Sequence, residues 1–236
     1  MLAEADIRAN LAAVRARVDD ACRAAGRRPD EVEVLLATKT QPAARVAVAV
    51  AAGARLIGEN RVQELAEKDA WLASLPCERH FIGHLQTNKV NQVLRYVSCV
   101  QSVDRPDVAD RLQRRLAVLD QVLDVLVQVN TSGEDSKFGV APADAVQLIG
   151  EVAKHDRLRV RGLMTVGLQS PDAAAVRASY RALREIRDRA RDAVGLELPT
   201  LSMGMSGDLE SAVAEGATMV RVGSAVFGPR PRPAGR

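Results

Sequence analysis

The sequence predicts a single (β/α)8 barrel with one additional N-terminal helix. Three observations carry that reading. Eight short apolar runs, rich in β-branched residues, alternate with segments of helical period between Val32 and Val222. The run Leu123–Asn130 is apolar on both faces, as expected of a parallel strand covered on each side. The chain is 236 residues long, a length at which α/β barrels close as one domain.

Each element has its own local reason. Ile7, Leu11, Val14 and Val18 recur at helical spacing, so the chain opens with an amphipathic helix. That helix faces either the barrel bottom or a partner. The stretch "AAGRRPD" breaks it. Strands are predicted at Val32–Thr38, Arg55–Gly58, His80–Gly83 and Cys99–Ser102, then at Leu123–Asn130, Arg159–Thr165, Thr200–Met203 and Met219–Val222. Helices are predicted near Ala43–Ala52, Arg61–Leu72, Asn88–Tyr96 and Pro106–Leu119, and near Pro142–Lys154, Asp172–Ala193 and Asp208–Glu215. An open doubly wound sheet is the alternative, but no GxGxxG follows the first strand, which removes one reason to prefer it. No linker or composition shift divides the chain. Residues 1–228 therefore read as one domain, and the Pro-, Gly- and Arg-rich stretch from residue 229 reads as a flexible tail.

Composition narrows the function classes. Aromatics are 3%, so the core is built from Val, Leu, Ile and Ala. The net charge of +3 comes from 33 bases and 30 acids, a mixed surface rather than a nucleic-acid footprint. The arginines of "VRASYRALREIRDRARDA" are interleaved with Glu185, Asp188 and Asp192, which reads as a solvated face with ion pairs along one helix. Cys22, Cys77 and Cys99 are odd in number and widely spaced, with no CxxC. The N-terminus carries acids among its apolar residues, unlike a signal peptide, and no run approaches the ~18 apolar residues of a membrane span. A cytoplasmic protein without membrane or nucleic-acid partners is expected.

The chemistry starts at Lys39, just past the first strand in "VEVLLATKTQP". Parallel barrels carry their chemistry at the C-terminal ends of the strands. A lysine partly walled by apolar groups there has a lowered pKa and can attack an aldehyde to form a Schiff base. The competing reading is a solvated loop lysine. At the other end of the chain, Ser206 and Gly207 follow the seventh strand, and Gly223 and Ser224 follow the eighth. Barrels often bind phosphate in these loops, where glycine admits backbone N–H groups and serine hydroxyls donate. The competing reading is that Ser206 and Asp208 only cap a helix and Gly223 only makes a turn. An aldehyde-reactive amine and an anion cradle on one barrel face match pyridoxal phosphate. Arg221, in an otherwise apolar strand, requires a partner: the pyridine nitrogen of that cofactor, or an acid inside the barrel. His80 and His84 lie four apart on a strand-to-loop segment, so no metal site is expected. The loop Thr131–Gly139 reads as either a lid or a solvated turn.

The segments "LLATKTQP", "IGENRVQE", "HFIGHLQTNK", "QSVD", "VQVNTSGEDSKFG", "RGLMTVG", "LSMGMSGDLESAV" and "VRVGSAVFG" closely resemble the pyridoxal phosphate homeostasis proteins, also called proline synthetase co-transcribed homologues. The resemblance implies a barrel like the N-terminal domain of alanine racemase, with the cofactor on Lys39. It places the phosphate on Ser206, Gly223 and Ser224, the ring nitrogen on Arg221, and Asn60 beside the cofactor. It implies a role in vitamin B6 homeostasis, buffering and delivering pyridoxal phosphate to apo-enzymes, with effects on amino-acid and keto-acid balance and no assigned catalytic residue. A monomer or weak homodimer is expected. Gln41 stands where a lysine is common and Phe138 where a histidine is common. The alternative is a pyridoxal-phosphate-dependent amino-acid racemase. It requires a second base opposite the lysine; both tyrosines, Tyr96 and Tyr180, fall on predicted outer helices, and His84, after the third strand, is the residue that could substitute.

Overall fold

Eight parallel strands close into a barrel in chain order in the protein's computed structural model, which describes residues 3–134 and 136–229. Helix α1 (Glu4–Ala24) precedes β1 (Glu33–Ala37), α2 (Ala43–Ala51), β2 (Leu56–Glu59) and α3 (Val62–Leu72). Next come β3 (Glu78–Phe81), α4 (Val90–Val93), β4 (Cys99–Val103), α5 (Pro106–Leu119) and β5 (Leu123–Gln128). The chain continues through α6 (Ala145–Val152), β6 (Leu158–Met164), α7 (Ala173–Val194), β7 (Thr200–Ser202), α8 (Leu209–Ala214), β8 (Met219–Val222) and α9 (Ser224–Phe227). All eight predicted strands are present, and the closed order excludes the open sheet.

The differences are local. The segment expected as a helix over Asn88–Tyr96 is a 3-10 turn, Thr87–Lys89, followed by the single turn of α4. β3 starts two residues earlier than expected, because Glu78 pairs with Leu56 across the sheet. α1 lies against the outer helices. Its buried stripe of Ile7, Leu11, Val14 and Val18 packs on the barrel flank against α2, α8 and α9. Burial of each such side chain contributes about 1.5–3 kcal/mol, so α1 seals the seam where the last unit meets the first. The expected tail lies, from residue 230 on, outside the described residues.

Side-chain alternation sorts the strands into two faces. One face, which includes Leu36, Ile57, Val100, Val125, Val220 and Val222, joins the large core beneath the helices. The other lines the inside of the barrel, where Leu35, Leu56 and Met219 form one small cluster and Cys99, Leu126 and Met164 another. Closure of β8 onto β1 pairs Arg221 with Leu35.

A buried ionic cluster fixes the end of β1 against α3. Lys68 of α3 donates to the carboxylate of Glu59, at the end of β2, and to the Thr38 carbonyl at 2.8 Å. It also pairs with Glu64 at 3.1 Å. Thr38 donates its hydroxyl to Glu59, and the Thr40 backbone N–H donates to Glu64 at 2.6 Å. Thr40 has a φ of 64°, an uncommon conformation for a non-glycine residue. The backbone on both sides of Lys39 is thus tied to one set of charges. Two carboxylates share one ammonium, and Glu59 Oε2 has no hydrogen-bond partner among the described residues. Burial pushes the Glu59 carboxyl from 4.5 up to about 7, against the pull of Lys68 and Thr38.

The folded protein therefore holds the Glu59 proton where the unfolded chain has released it. The resulting stability is complete below about 4.5 and is lost as pH rises through about 7. The melting temperature of the native protein should fall relative to a Glu59→Gln variant as pH is raised from about 5 to about 8. Parallel curves would mean that Glu59 is ionised throughout.

Candidate functional site

Lys39 continues the inward-facing series of Leu35 and Ala37. It is half-buried in the turn after β1 and lines a cavity of about 460 Å³ together with Ala37 and Gln41. The same cavity is lined by Ser206, Gly207, Arg221, Gly223 and Ser224. Five of the six residues expected around a cofactor are therefore brought together, from β1 and from the ends of β7 and β8.

The loops after β7 and β8 are tied to each other. The Ala225 N–H donates to Ser206 Oγ at 3.3 Å. Gly204, at φ 90°, turns the chain out of β7 where a β-carbon would lie 2.5 Å from Ala212 Cβ, so a side chain there would both strain and clash. Asp208 does not cap α8 with its side chain. Its Oδ1 instead accepts from the Met205 N–H at 2.6 Å, and its Oδ2 accepts from the Tyr180 hydroxyl at 2.8 Å. Arg17 of α1 donates to the Ser206 carbonyl at 3.2 Å and pairs with Glu210 at 2.8 Å. The turn that presents Ser206 and Gly207 is thus held from the α7 side, from α1 and from within.

Arg221 rises from β8 inside the barrel and is almost wholly buried. Its Nη1 donates to the Ser202 carbonyl at 2.7 Å and to the Ser202 hydroxyl at 2.8 Å, and its Nη2 donates to the Thr165 carbonyl at 2.6 Å. The expected alternative, an ion pair with an acid inside the barrel, is not what holds it. Its partners are neutral oxygens. These bonds engage three of the five N–H groups of a guanidinium, which leaves the Nε–H and one Nη2–H for an occupant of the cavity. Burial lowers its pKa from 12.5 to about 10, so the group stays cationic at neutral pH.

Asn60 is not among the residues lining this cavity. It follows β2, where its carbonyl approaches Gly83 so closely that a β-carbon on residue 83 would lie 2.1 Å away. Its buried Oδ1 has no hydrogen-bond partner among the described residues. Tyr180, expected on an outer helix, does belong to α7, yet its side chain is fully buried and its hydroxyl reaches Asp208. Burial, reinforced by Asp208, pushes that phenol far up. The loop Thr131–Gly139 is anchored rather than laid across the cavity, and none of its described residues lines it. Asn130 Nδ2 donates to the Glu134 and Lys137 carbonyls, and Lys137 reaches the Gly167 carbonyl at 2.9 Å. Phe138 stacks on His84 with ring centroids 3.8 Å apart. Asp135 of that loop lies outside the described residues.

Sequence reasoning missed the β6 side of the cavity, where Leu168, Gln169 and Ser170 contribute. Their position just after a barrel strand was the available signal. It also missed the place of Gln41, which is buried, lines the cavity and accepts from Arg45 Nη1 at 2.9 Å. Arg45 in turn reaches the Phe227 carbonyl at 2.8 Å. Among the described residues, no group of three or more His, Cys, Asp or Glu side chains is arranged to hold a metal ion, and no helix is long and apolar enough to cross a membrane.

Residues 9–231 match the family model described as alanine racemase, N-terminal domain. A relative from Pseudomonas aeruginosa, named pyridoxal phosphate homeostasis protein, is 47% identical over 94% of this chain and 94% of its own length. The solved structure of PipY from Synechococcus elongatus, with PLP bound, superposes with a TM-score of 0.83 at 33% identity, covering 94% of this chain and 100% of that one. Alanine racemase from Corynebacterium glutamicum shares the fold, with a TM-score of 0.72 at 18% identity, over 98% of this chain and 63% of that one. The chain belongs to the alanine racemase N-terminal-domain family and, within it, to the pyridoxal phosphate homeostasis proteins.

Proposed function

We propose that this protein binds pyridoxal 5'-phosphate as a Schiff base on Lys39 and serves vitamin B6 homeostasis in the cytoplasm, buffering the cofactor and delivering it to apo-enzymes. The observation that carries this reading is the single cavity that joins Lys39 to Ser206, Gly223, Ser224 and Arg221. Supporting it are the names of relatives that match along nearly the whole chain and the PLP bound to PipY. A cavity of about 460 Å³ lies within the range of small-ligand sites. The cytoplasmic placement draws on three free cysteines, two of them buried.

The residues fit the cofactor. When bound, it supplies an aldehyde with which a lysine amine condenses, losing water. Lys39 supplies that amine from a backbone clamped on either side by Glu59, Glu64 and Lys68. Ser206 and Ser224 offer hydroxyls, and Gly207 and Gly223 allow close approach of backbone to phosphate oxygens. Arg221 would face the ring nitrogen with a remaining N–H and, as a standing cation, would hold that nitrogen unprotonated. This weakens the ring as an electron sink and favours holding over turnover. Asn60 belongs to the proposed set through the resemblance alone, since it does not line the cavity. A racemase needs a second base facing the lysine. Among the described residues the cavity is lined by no histidine, cysteine or tyrosine, and its one acid, Asp208, is engaged by Tyr180 and Met205.

Loaded protein should absorb near ~420 nm, and Lys39→Ala should abolish the band. A band that survives the substitution would place the aldehyde elsewhere. Ser206→Ala should weaken binding of pyridoxal phosphate about tenfold while leaving affinity for pyridoxal, which lacks the phosphate, unchanged. Equal losses for both ligands would remove Ser206 from the phosphate site. Alanine deuterated at its α-carbon should lose deuterium no faster with loaded protein than with free cofactor, whereas rapid loss would favour a racemase.

A further inference from the structure

The inside of the barrel contains a connected polar chain that the cavity alone does not explain. Ser202 of β7 touches Arg221 and also Gln101 of β4, whose Oε1 lies 2.7 Å from the Ser202 hydroxyl. Gln101 Nε2 lies 2.8 Å from Nδ1 of His80 on β3 and 3.2 Å from the Met219 sulfur. Gln101, Ser202, His80 and Arg221 are all buried.

The direction of every bond follows from one end. Arg221 can only donate, so the Ser202 hydroxyl accepts from it and has one proton left to give. That proton goes to Gln101, which fixes the amide with its oxygen toward Ser202. The amide nitrogen then faces His80 and donates, so His80 Nδ1 accepts and the ring proton sits on Nε2. Flipping the amide would take from the Ser202 proton its acceptor and turn the amide oxygen toward the Met219 sulfur.

We propose that His80 is a positioning residue for Arg221: acting through Gln101 and Ser202, its Nε2-protonated ring fixes the direction in which the guanidinium presents its donors to the cavity. Several charges surround His80. Glu78 of its own strand lies 3.7 Å from Nε2. Asp124 of β5 acts on it at longer range and is itself paired with Arg159 of β6 at 2.6 Å. Cys99 is its register neighbour on β4. Burial lowers its pKa and outweighs both carboxylates, which keeps Nδ1 available as an acceptor. Protonation at Nδ1 would set two donors face to face. The polarity of the chain rests on geometry alone. Its consequence for cofactor binding rests on the reading of function given above.

Nitrogen-15 NMR of the cofactor-free protein tests the polarity, since the chain has three histidines to assign. His80 should appear as the Nε2-protonated tautomer. In Gln101→Glu, whose carboxylate can only accept, the proton should move to Nδ1. A native Nδ1-protonated ring, or no change in the variant, would overturn the proposal. For the positioning role, His80→Leu should lower affinity for pyridoxal phosphate about tenfold and leave affinity for inorganic phosphate unchanged. Loss of both affinities, or of neither, would overturn it. Should His80→Leu fail to fold, the Gln101→Glu spectrum still decides. A native protein that takes up no pyridoxal phosphate would defeat the functional reading, while the tautomer result would still judge the chain.

Discussion

Closure of β8 onto β1 is the constraint on which the rest depends. It pairs Leu35 with Arg221 and so brings the first strand tip level with the last two. Without that register, Lys39 and the loops around Ser206 and Gly223 would be at opposite edges of an open sheet. The closure is supported from outside by α1, whose apolar stripe packs on α8, α9 and α2. The same helix reaches the β7 loop through Arg17. The element that seals the barrel is therefore also a support of the turn that carries Ser206.

The barrel interior is not uniformly apolar. Two small apolar clusters leave room for Arg221, Ser202, Gln101 and His80. Buried polar groups of this kind are costly unless each finds a partner, and here each partner determines the orientation of the next. The buried cluster of Glu59, Glu64 and Lys68 has a comparable part outside the barrel, where it restrains the backbone around Lys39. Both networks invest buried polar groups in the position of one cavity-facing side chain.

Much of this fold was legible because its strands are continuous apolar runs bounded by turns, a signal independent of partners far along the chain. The lysine at a strand tip and the Gly/Ser loops were legible for the same reason. The rest depended on long-range contacts. Arg177, Arg181 and Arg184 read as members of a self-contained ion-paired helix, yet all three converge on Glu215 at the end of α8, whose side chain is 3% exposed. The competing reading of Asp208 as a helix cap gives way to a carboxylate that joins Met205 to Tyr180. α9 is a single turn, too short for a periodic signal. Gln101 and His80 sit 21 residues apart, and nothing local marks them as partners. Asn60 entered through resemblance alone, and the geometry sets it outside the cavity lining.

The central claim is that the amine from the first strand and the anion cradle from the last two serve one ligand. The most direct measurement is peptide mapping by mass spectrometry after the loaded protein is reduced with borohydride. The account predicts a phosphopyridoxyl mass on the peptide that contains Lys39 and on no other. The same mass on Lys68, Lys89, Lys137 or Lys154 in place of Lys39 would contradict it.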